Sequence, residues 1–265
     1  MTQTGVHQSR IRVWSTVDEV ATDAARVAAD AIIAGIEARG TAHVLFASAP
    51  SQEAMLAHLA QDPRIDWSAV RSLHMDEYVG IPPDAPQSFG RWLQDRLPDA
   101  ALAGFSRLRT DGDVEAEVAR YVALIAEARL DVTCLGVGVN GHVAFNEPDA
   151  AAFDDPDALR LVELDIASRQ QQVDEGLFAD LAAVPSSAVT LTVPVLLSAR
   201  TMVSTVLGPH KAAAVAQALQ GPVSVGCPAS AMQLHPDAHW FLDGPAASRL
   251  SDAQPIERPE VAGEA

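Results

Sequence analysis

Short apolar runs alternate along the chain with stretches of helical periodicity. Six runs have the length and apolar character of strands, and they span residues 42–47, 69–75, 131–135, 159–164, 201–207 and 239–242. The intervening pattern predicts helices that begin near Ser51, where the serine would be the N-cap, and that span 114–128 and 211–219. Strands separated by helices are typical of βαβ units. The pattern therefore predicts an α/β fold with a mostly parallel central sheet and helices on both faces.

The domain organisation follows from length and from the spacing of these elements. A chain of 265 residues is long enough for one large α/β domain or two small ones. No internal repeat or linker divides it, so we expect a single domain over residues 1–250. The stretch 251–265 is polar, acidic and proline-bearing, which predicts a flexible acidic tail.

Composition excludes several classes of function. The formal net charge of -17 argues against a nucleic-acid partner, because phosphate backbones are bound by clustered Lys and Arg. No apolar run approaches the roughly 20 residues of a membrane span, and the first residues lack a secretory apolar region. The two cysteines, Cys134 and Cys227, have apolar or small neighbours, which favours a reducing compartment. We therefore expect a cytoplasmic protein with no membrane partner.

Candidate chemistry collects at one predicted edge of the sheet. In an open parallel sheet, ligands bind beyond the carboxyl ends of the strands. The residues that follow the predicted strands there include serines, carboxylates, an amide, two imidazoles and a lysine: Ser48, Ser51, Asp76, Glu77, Asn140, His142, Glu147, His210 and Lys211. Singly, each is more often a cap, a solvated turn or a structural hydrogen-bonding group than a functional group. Their convergence predicts an active edge.

The glycine stretch 135–148 admits two interpretations. Gly136, Gly138 and Gly141 spell G-x-G-x-x-G, the pattern of a dinucleotide cradle, and Glu163 lies at about the expected acidic spacing. A cradle, however, needs a helix that starts at the third glycine, whereas residues 142–148 lack a helical apolar stripe and end in proline. The alternative is a turn at which Gly138 and Gly141 let the backbone approach a small ligand closely. We favour the turn.

Two further features bear on ligands. Lys211 stands at a predicted helix start, where a cation opposes the helix dipole, and a bound anion would relieve that conflict. His235 and His239 are four residues apart, but a proline follows the first and no third ligand is evident. We therefore expect an anionic small-molecule ligand and no metal.

Three segments carry a family resemblance. LHMDEYVGIP (73–82), LGVGVNGHVAFNEP (135–148) and SAMQLHPDA (230–238) resemble the glucosamine-6-phosphate deaminases, which are related to the 6-phosphogluconolactonases. The similarity runs in order over roughly residues 15–243. It implies a Rossmann-like three-layer α/β sandwich and the conversion of glucosamine 6-phosphate and water to fructose 6-phosphate and ammonia, a reaction that requires no metal and no organic cofactor.

The resemblance also implies catalytic roles. His142 would open the sugar ring, since an imidazole can move protons in both directions near neutral pH. Glu147 would orient and tune that imidazole. Asp76 would carry the proton between C2 and C1. Many members have an acid where this chain has Asn140, and an amide cannot act as a base, so the role implied for Asn140 is to hydrogen-bond the opening sugar.

Substrate and phosphate binding is implied for a second set: Ser48, Ala49, Ser51, Glu77, Gly138, Gly141, Arg169 and Lys211. Glu77 is the position in this set that could equally be structural. The family's glycine- and threonine-rich phosphate loop is replaced here by residues 47–52, ASAPSQ, so another hexosamine phosphate such as galactosamine 6-phosphate is an alternative substrate. A lactonase-type hydrolase and a non-catalytic sugar-phosphate sensor are alternative functions. Relatives include monomers and hexamers, so a homo-oligomer is possible.

Overall fold

An eight-stranded parallel sheet forms the centre of the molecule. The structure, a computed structural model, describes residues 6–174, 176–251 and 255–257. In spatial order the strands are Ile256–Glu257 (β11), Arg10–Trp14 (β1), Ala238–Asp243 (β10), Thr201–Val206 (β9), Leu130–Leu135 (β6), Ala42–Phe46 (β2), Val70–His74 (β3) and Phe105–Ser106 (β5). Every pair of neighbours is parallel. The prediction of an α/β fold around a mostly parallel sheet is confirmed.

Helices cover both faces of this sheet. They are Val17–Arg39 (α1), Glu53–Ala60 (α2), Phe89–Gln94 (α3), Asp99–Leu102 (α4), Val114–Glu127 (α5), Ile166–Asp174 (α6), Val193–Leu196 (α7) and Ala212–Gln220 (α8). Successive strand residues point to opposite faces. Val44 and Phe46 of β2 therefore pack with α1 and α2 in one core cluster, whereas Leu45 packs with α8 in the other.

A small antiparallel sheet lies beside the large one. It consists of Asp76–Tyr78 (β4), Ser187–Leu191 (β8) and Leu159–Glu163 (β7), in the order β4-β8-β7. The segment predicted as a strand at 159–164 is thus an edge strand of this second sheet. The predicted strand 69–75 ends at His74, because the chain passes to the small sheet at Asp76. That transfer places Asp76 at the junction of the two sheets.

Three local details bear on the predicted boundaries. Ser51 is not an N-cap, and that part of the prediction is wrong: a 3-10 turn, Pro50–Gln52, precedes α2, and Ala49 caps it without a side-chain hydrogen bond. Most of the predicted tail lies outside the described residues, but Ile256–Glu257 pair with β1. No helix in the described part of the chain is long and apolar enough to cross a membrane.

Candidate active site

A cavity of about 340 Å³ opens at the carboxyl ends of the central strands. Four connections build it, namely the segments that follow β2, β3, β6 and β9, and helix α6 contributes one wall. Its lining is Ala47, Ser48, Ala49, Pro50, Ser51, Met75, Asp76, Phe89, Gly136, Val137, Gly138, His142, Ala144, Phe145, Gln171, Gln172, Leu207, His210 and Lys211. The cavity therefore brings together a carboxyl, two imidazoles and an ammonium group.

Asp76 is the buried acid of this cavity. It opens β4 and is only 8% exposed. Burial, with a smaller contribution from the charge of Glu77, raises the pKa of Asp76 to about 8. A carboxyl with such a pKa can both take up and release a proton near neutral pH, as a proton-transfer group must.

Glu77 points away from the cavity, although sequence reasoning placed it among the substrate-binding residues. Its carboxylate accepts hydrogen bonds from the Ser88 hydroxyl (2.7 Å) and from the N–H groups of Phe89 (3.2 Å) and Gly90 (3.0 Å). These donors belong to the first turn of α3, whose free N–H groups attract an anion. Burial nevertheless raises the pKa of Glu77 overall. Its observed contacts are structural, since they join β4 to α3.

His142 lies against a buried carboxylate. Its Nδ1 is 3.3 Å from Oε1 of Glu147, at angles outside those of a regular hydrogen bond. Glu147 also accepts hydrogen bonds from the Asn140 amide (2.7 Å) and from the Ser168 hydroxyl. Burial opposes ionisation of Glu147, but the adjacent imidazole of His142 and the hydrogen bonds from Ser168 and Asn140 together lower its pKa to about 2. An ionised carboxylate thus stands behind the imidazole.

The glycine stretch forms a tight turn and not a dinucleotide cradle. A Cβ at Gly138 would overlap the imidazole of His142, so only glycine lets the ring lie there. Gly141 has φ +89°, and a Cβ there would lie 2.6 Å from Sγ of Cys227. The backbone after Gly141 forms turns, and the next helix is α6. Gly138 lines the cavity, whereas Gly141 does not and acts through backbone geometry.

The cavity lining includes four of the predicted phosphate-binding residues. Ser48, Ala49 and Ser51 line it from the turn after β2, and Lys211 lines it from the start of α8. Lys211 is 8% exposed, so its charge acts in a partly dehydrated environment. This set of hydroxyl and ammonium groups suits an anion.

Arg169 lies outside the cavity, in contrast to its predicted role. Its guanidinium donates to the backbone carbonyls of Leu181 (2.6 Å) and Val184 (2.9 Å). These bonds hold the 181–184 loop against α6, which is why the side chain is turned from the ligand space. The residues that α6 presents to the cavity are Gln171 and Gln172. The sequence analysis did not predict these two residues as part of the site, because a neutral amide side chain has no sequence pattern that distinguishes it as functional.

His210 also lines the cavity next to Lys211, although sequence reasoning placed it only at the sheet edge. Its ring folds back over Gly208, whose φ is +89°. Among residues 6–174, 176–251 and 255–257, no group of three or more His, Cys, Asp or Glu side chains could hold a metal ion.

The fold and the cavity together define a class. The molecule is an α/β protein with a carboxyl, two imidazoles and an ammonium group in one cavity at the carboxyl edge of its sheet. A sequence profile of the glucosamine-6-phosphate isomerases/6-phosphogluconolactonase family matches residues 15–240. The chain belongs to this family.

Curated relatives match over most of their length. A protein of Exiguobacterium sp. named glucosamine-6-phosphate deaminase is 33% identical over 248 residues, which cover 93% of this chain and 95% of the relative. One of the same name from Cutibacterium acnes is 34% identical over 238 residues, with 86% and 89% coverage. The chain is thus similar to deaminases across nearly its whole length.

Solved structures show the same fold. A monomeric glucosamine-6-phosphate deaminase superimposes with a TM-score of 0.82 at 29% identity, covering 90% of this chain and 99% of that one. A 6-phosphogluconolactonase from Shewanella baltica gives a TM-score of 0.72 at 18% identity, with 90% and 98% coverage. The second likeness concerns the fold alone.

Proposed function

We propose that this chain is a glucosamine-6-phosphate deaminase that converts glucosamine 6-phosphate and water to fructose 6-phosphate and ammonia. The observation that carries the proposal is the single cavity that holds both Asp76 and His142, with Lys211 in the same lining. The relatives of the same name support the reaction.

The first step is the opening of the sugar ring. It requires a group that gives a proton to the ring oxygen while a proton leaves the anomeric hydroxyl. His142 supplies this group, and the ionised Glu147 at 3.3 Å stabilises the imidazolium that forms in the exchange. Asn140 holds Glu147 in place through its amide and also caps the turn by accepting the N–H of His142.

The second step moves a proton from C2 to C1. Asp76, with its pKa of about 8, takes the C2 proton as its carboxylate and returns it as its acid. The cationic amine of the substrate favours the carboxylate form when it enters, because an opposite charge nearby lowers a carboxyl pKa. Addition of water to the resulting C2 imine and loss of ammonia then give the ketose phosphate.

The phosphate end is assigned to Ser48, Ala49, Ser51 and Lys211. Gly136 allows this loop to pack closely, since a Cβ there would lie 2.9 Å from Oγ of Ser51. The glycine-poor loop 47–52 lines the cavity together with Lys211 and contributes two serine side chains, of which Ser48 donates its hydroxyl proton to the carbonyl of Phe89 at 3.0 Å.

The decisive experiment is ammonia release over a panel of hexosamine 6-phosphates without added cofactor. We expect glucosamine 6-phosphate to give equal amounts of ammonia and fructose 6-phosphate. Hydrolysis of 6-phosphogluconolactone without ammonia release would identify a lactonase instead. Calorimetric binding of the sugar phosphate with no turnover would identify a sensor.

Asp76→Asn provides a first prediction. The amide cannot carry the proton, so we expect turnover to fall by about 10³-fold or more while substrate still binds. Folding raises the pKa of Asp76, so the buried acid destabilises the folded protein at any pH above the pKa of this carboxyl in the unfolded chain. The variant removes this cost and should be more stable than the parent protein at pH 7, by roughly 1–3 kcal/mol. Ammonia release and thermal unfolding measure both effects. Asp84→Asn, at an exposed position, is the control, and an unchanged rate in Asp76→Asn would contradict the assignment.

A further inference from the structure

A buried histidine stands directly behind Asp76. His74 is the last residue of β3, two positions before Asp76, and has no exposed surface. Its Nδ1–H donates to the backbone carbonyl of Asp76 at 2.9 Å, and the N–H of Leu108 donates to its Nε2 at 2.8 Å. With one nitrogen donating and the other accepting, the ring is held in one tautomer and one orientation.

The surroundings of His74 keep it neutral. Burial, helped by the charges of Arg107 and Arg120, lowers the pKa of His74 to about 3, although the carbonyl of Asp76 opposes the shift. The rings of Phe105 and Tyr121 pack against the imidazole, with centroids 5.8 and 6.3 Å away. An uncharged imidazole in this position cannot exchange protons with substrate in the working pH range. Any contribution it makes to the reaction is through geometry.

The backbone around His74 is held from several sides. The hydroxyl of Tyr121 donates to the carbonyl of His74 and accepts its N–H, both at 2.8 Å. Met75 donates to the carbonyl of Phe46 and accepts the N–H of Leu191, which belong to the large and the small sheet respectively. Hydrogen bonds therefore fix the backbone where the chain crosses between the two sheets, and the hydrogen bond from His74 also fixes the peptide that follows Asp76.

We infer that His74 is a positioning residue for the proton transfer: its hydrogen bond fixes the peptide after Asp76 and so directs the carboxyl of Asp76 toward the substrate. This inference rests on the proposed function. A carboxyl that moves a proton between neighbouring carbons must reach both, and a misplacement of about 1 Å costs on the order of 10²-fold in rate. The two hydrogen bonds of the ring can be removed one at a time, which makes the inference testable.

Three variants separate the two bonds. In His74→Asn the side-chain amide lies where Nδ1 was and can still donate to Asp76, but the N–H of Leu108 loses its acceptor. In His74→Gln the amide reaches the former place of Nε2 and keeps the bond to Leu108, but the bond to Asp76 is lost. His74→Leu loses both bonds. All three lose stability, so stability alone does not distinguish them.

The kinetic pattern distinguishes positioning from structure. We expect kcat within about threefold of the parent protein for His74→Asn, and a loss of about 10–100-fold for His74→Gln and His74→Leu. KM should stay within about threefold in all three, since no substrate contact is removed. The acid limb of the kcat profile, set by Asp76 beside Glu77, should move in the Gln and Leu variants only. Equal kcat in the Asn and Gln variants would overturn the inference.

A second readout does not depend on turnover. Titration of the Asp76 carboxyl followed by ¹³C NMR should show the parent pKa in His74→Asn and a changed pKa in His74→Gln. Identical titrations in the two variants would overturn the inference, whether or not the parent protein releases ammonia. A parent protein that releases no ammonia would overturn the proposed function by itself. Tyr121→Phe is a milder variant in case His74→Gln and His74→Leu do not fold. It removes the hydroxyl that holds the His74 backbone, and we expect a kcat loss of about 2–10-fold, whereas an unchanged kcat and Asp76 titration there would overturn the inference.

Discussion

Two carboxyl groups of the cavity region have opposite electrostatic environments, although both are buried. Asp76 has little to stabilise its charge, and its pKa rises to about 8. Glu147 has an imidazole, a hydroxyl and an amide around its oxygens, and its pKa falls to about 2. The difference between these two groups follows from the neighbouring imidazole and the hydrogen-bond donors that surround Glu147 and that Asp76 lacks. At neutral pH one group is therefore suited to proton transfer and the other to permanent negative charge.

The low pKa of Glu147 leads to a prediction on stability. A carboxyl whose pKa is depressed by folding stabilises the protein above its unfolded pKa, and this stabilisation is lost as pH falls toward the folded value. Glu147→Gln should therefore cost roughly 1–2 kcal/mol more at pH 5 than at pH 3, and should lower kcat by about 10–100-fold near neutral pH. Urea unfolding at several pH values and ammonia release measure these effects.

Glu127→Gln is the matched control, because Glu127 is exposed on α5. Its stability difference from the parent protein should be small at every pH. A Glu147→Gln cost that does not change between pH 5 and pH 3 would show that the carboxylate is not stabilised by its neighbours.

At the scale of elements, periodicity predicted the central strands because each is a buried apolar run. The 23-residue helix α1 was not among the predicted elements, and its clearest signal is the capping box of Thr16 and Glu19. The three-residue strand β4 could not be predicted from pattern, since its pairing with β8 joins residues more than 100 positions apart. Long-range pairing, and not local propensity, places Asp76 at the cavity.

The direction in which a helix residue points its side chain could also not be predicted from the sequence. The convergence of Asp76, His142 and Lys211 followed from the rule that strand ends share an edge, and all three line the cavity. For Arg169 no such rule applied, because α6 and the 181–184 loop pack together only in the folded chain. Glu77 likewise follows Asp76 in sequence, yet strand alternation turns it to the opposite side.

A matched pair of variants tests the phosphate end. Lys211→Met keeps the apolar stem and removes the charge, and we expect KM for glucosamine 6-phosphate to rise about 10–100-fold because a charged hydrogen bond is lost. Arg169→Met should leave KM within about threefold and lower Tm, since the carbonyls of Leu181 and Val184 lose their donor. Steady-state kinetics and thermal unfolding measure the two. An equal rise of KM in Arg169→Met would mean that the guanidinium reaches the phosphate.

Across the whole molecule, the two ends of the sheet have different roles: one forms the cavity and the other stabilises the fold. The cavity lies at the carboxyl ends of the strands, whereas the buried Asp131, near the amino end of β6, forms an ion pair with the partly exposed Arg39 of α1 at 2.5 Å. The carboxylate also accepts the N–H of His43 at 2.9 Å, so it joins helix α1 to strands β2 and β6. Gly35 makes room for it, because a Cβ there would lie 2.7 Å from the carboxylate. This ion pair supports the fold from the end opposite the cavity.

The separation of the two ends predicts that stability and activity can be changed independently. Asp131→Asn leaves the Arg39 guanidinium without its anion, and breaking such a pair costs about 2–4 kcal/mol, or roughly 5–15 °C in Tm for a chain of this size. Because no cavity residue moves with it, kcat/KM at 25 °C should remain within about twofold of the parent protein. Asp95→Asn, which removes an exposed pair with Arg91, is the control and should change Tm by about 1 °C or less. A loss of kcat/KM in folded Asp131→Asn protein would mean that strain at the amino ends of the strands is transmitted through β6 to the glycine turn and His142. Stability and activity would then not be separable between the two ends of the sheet.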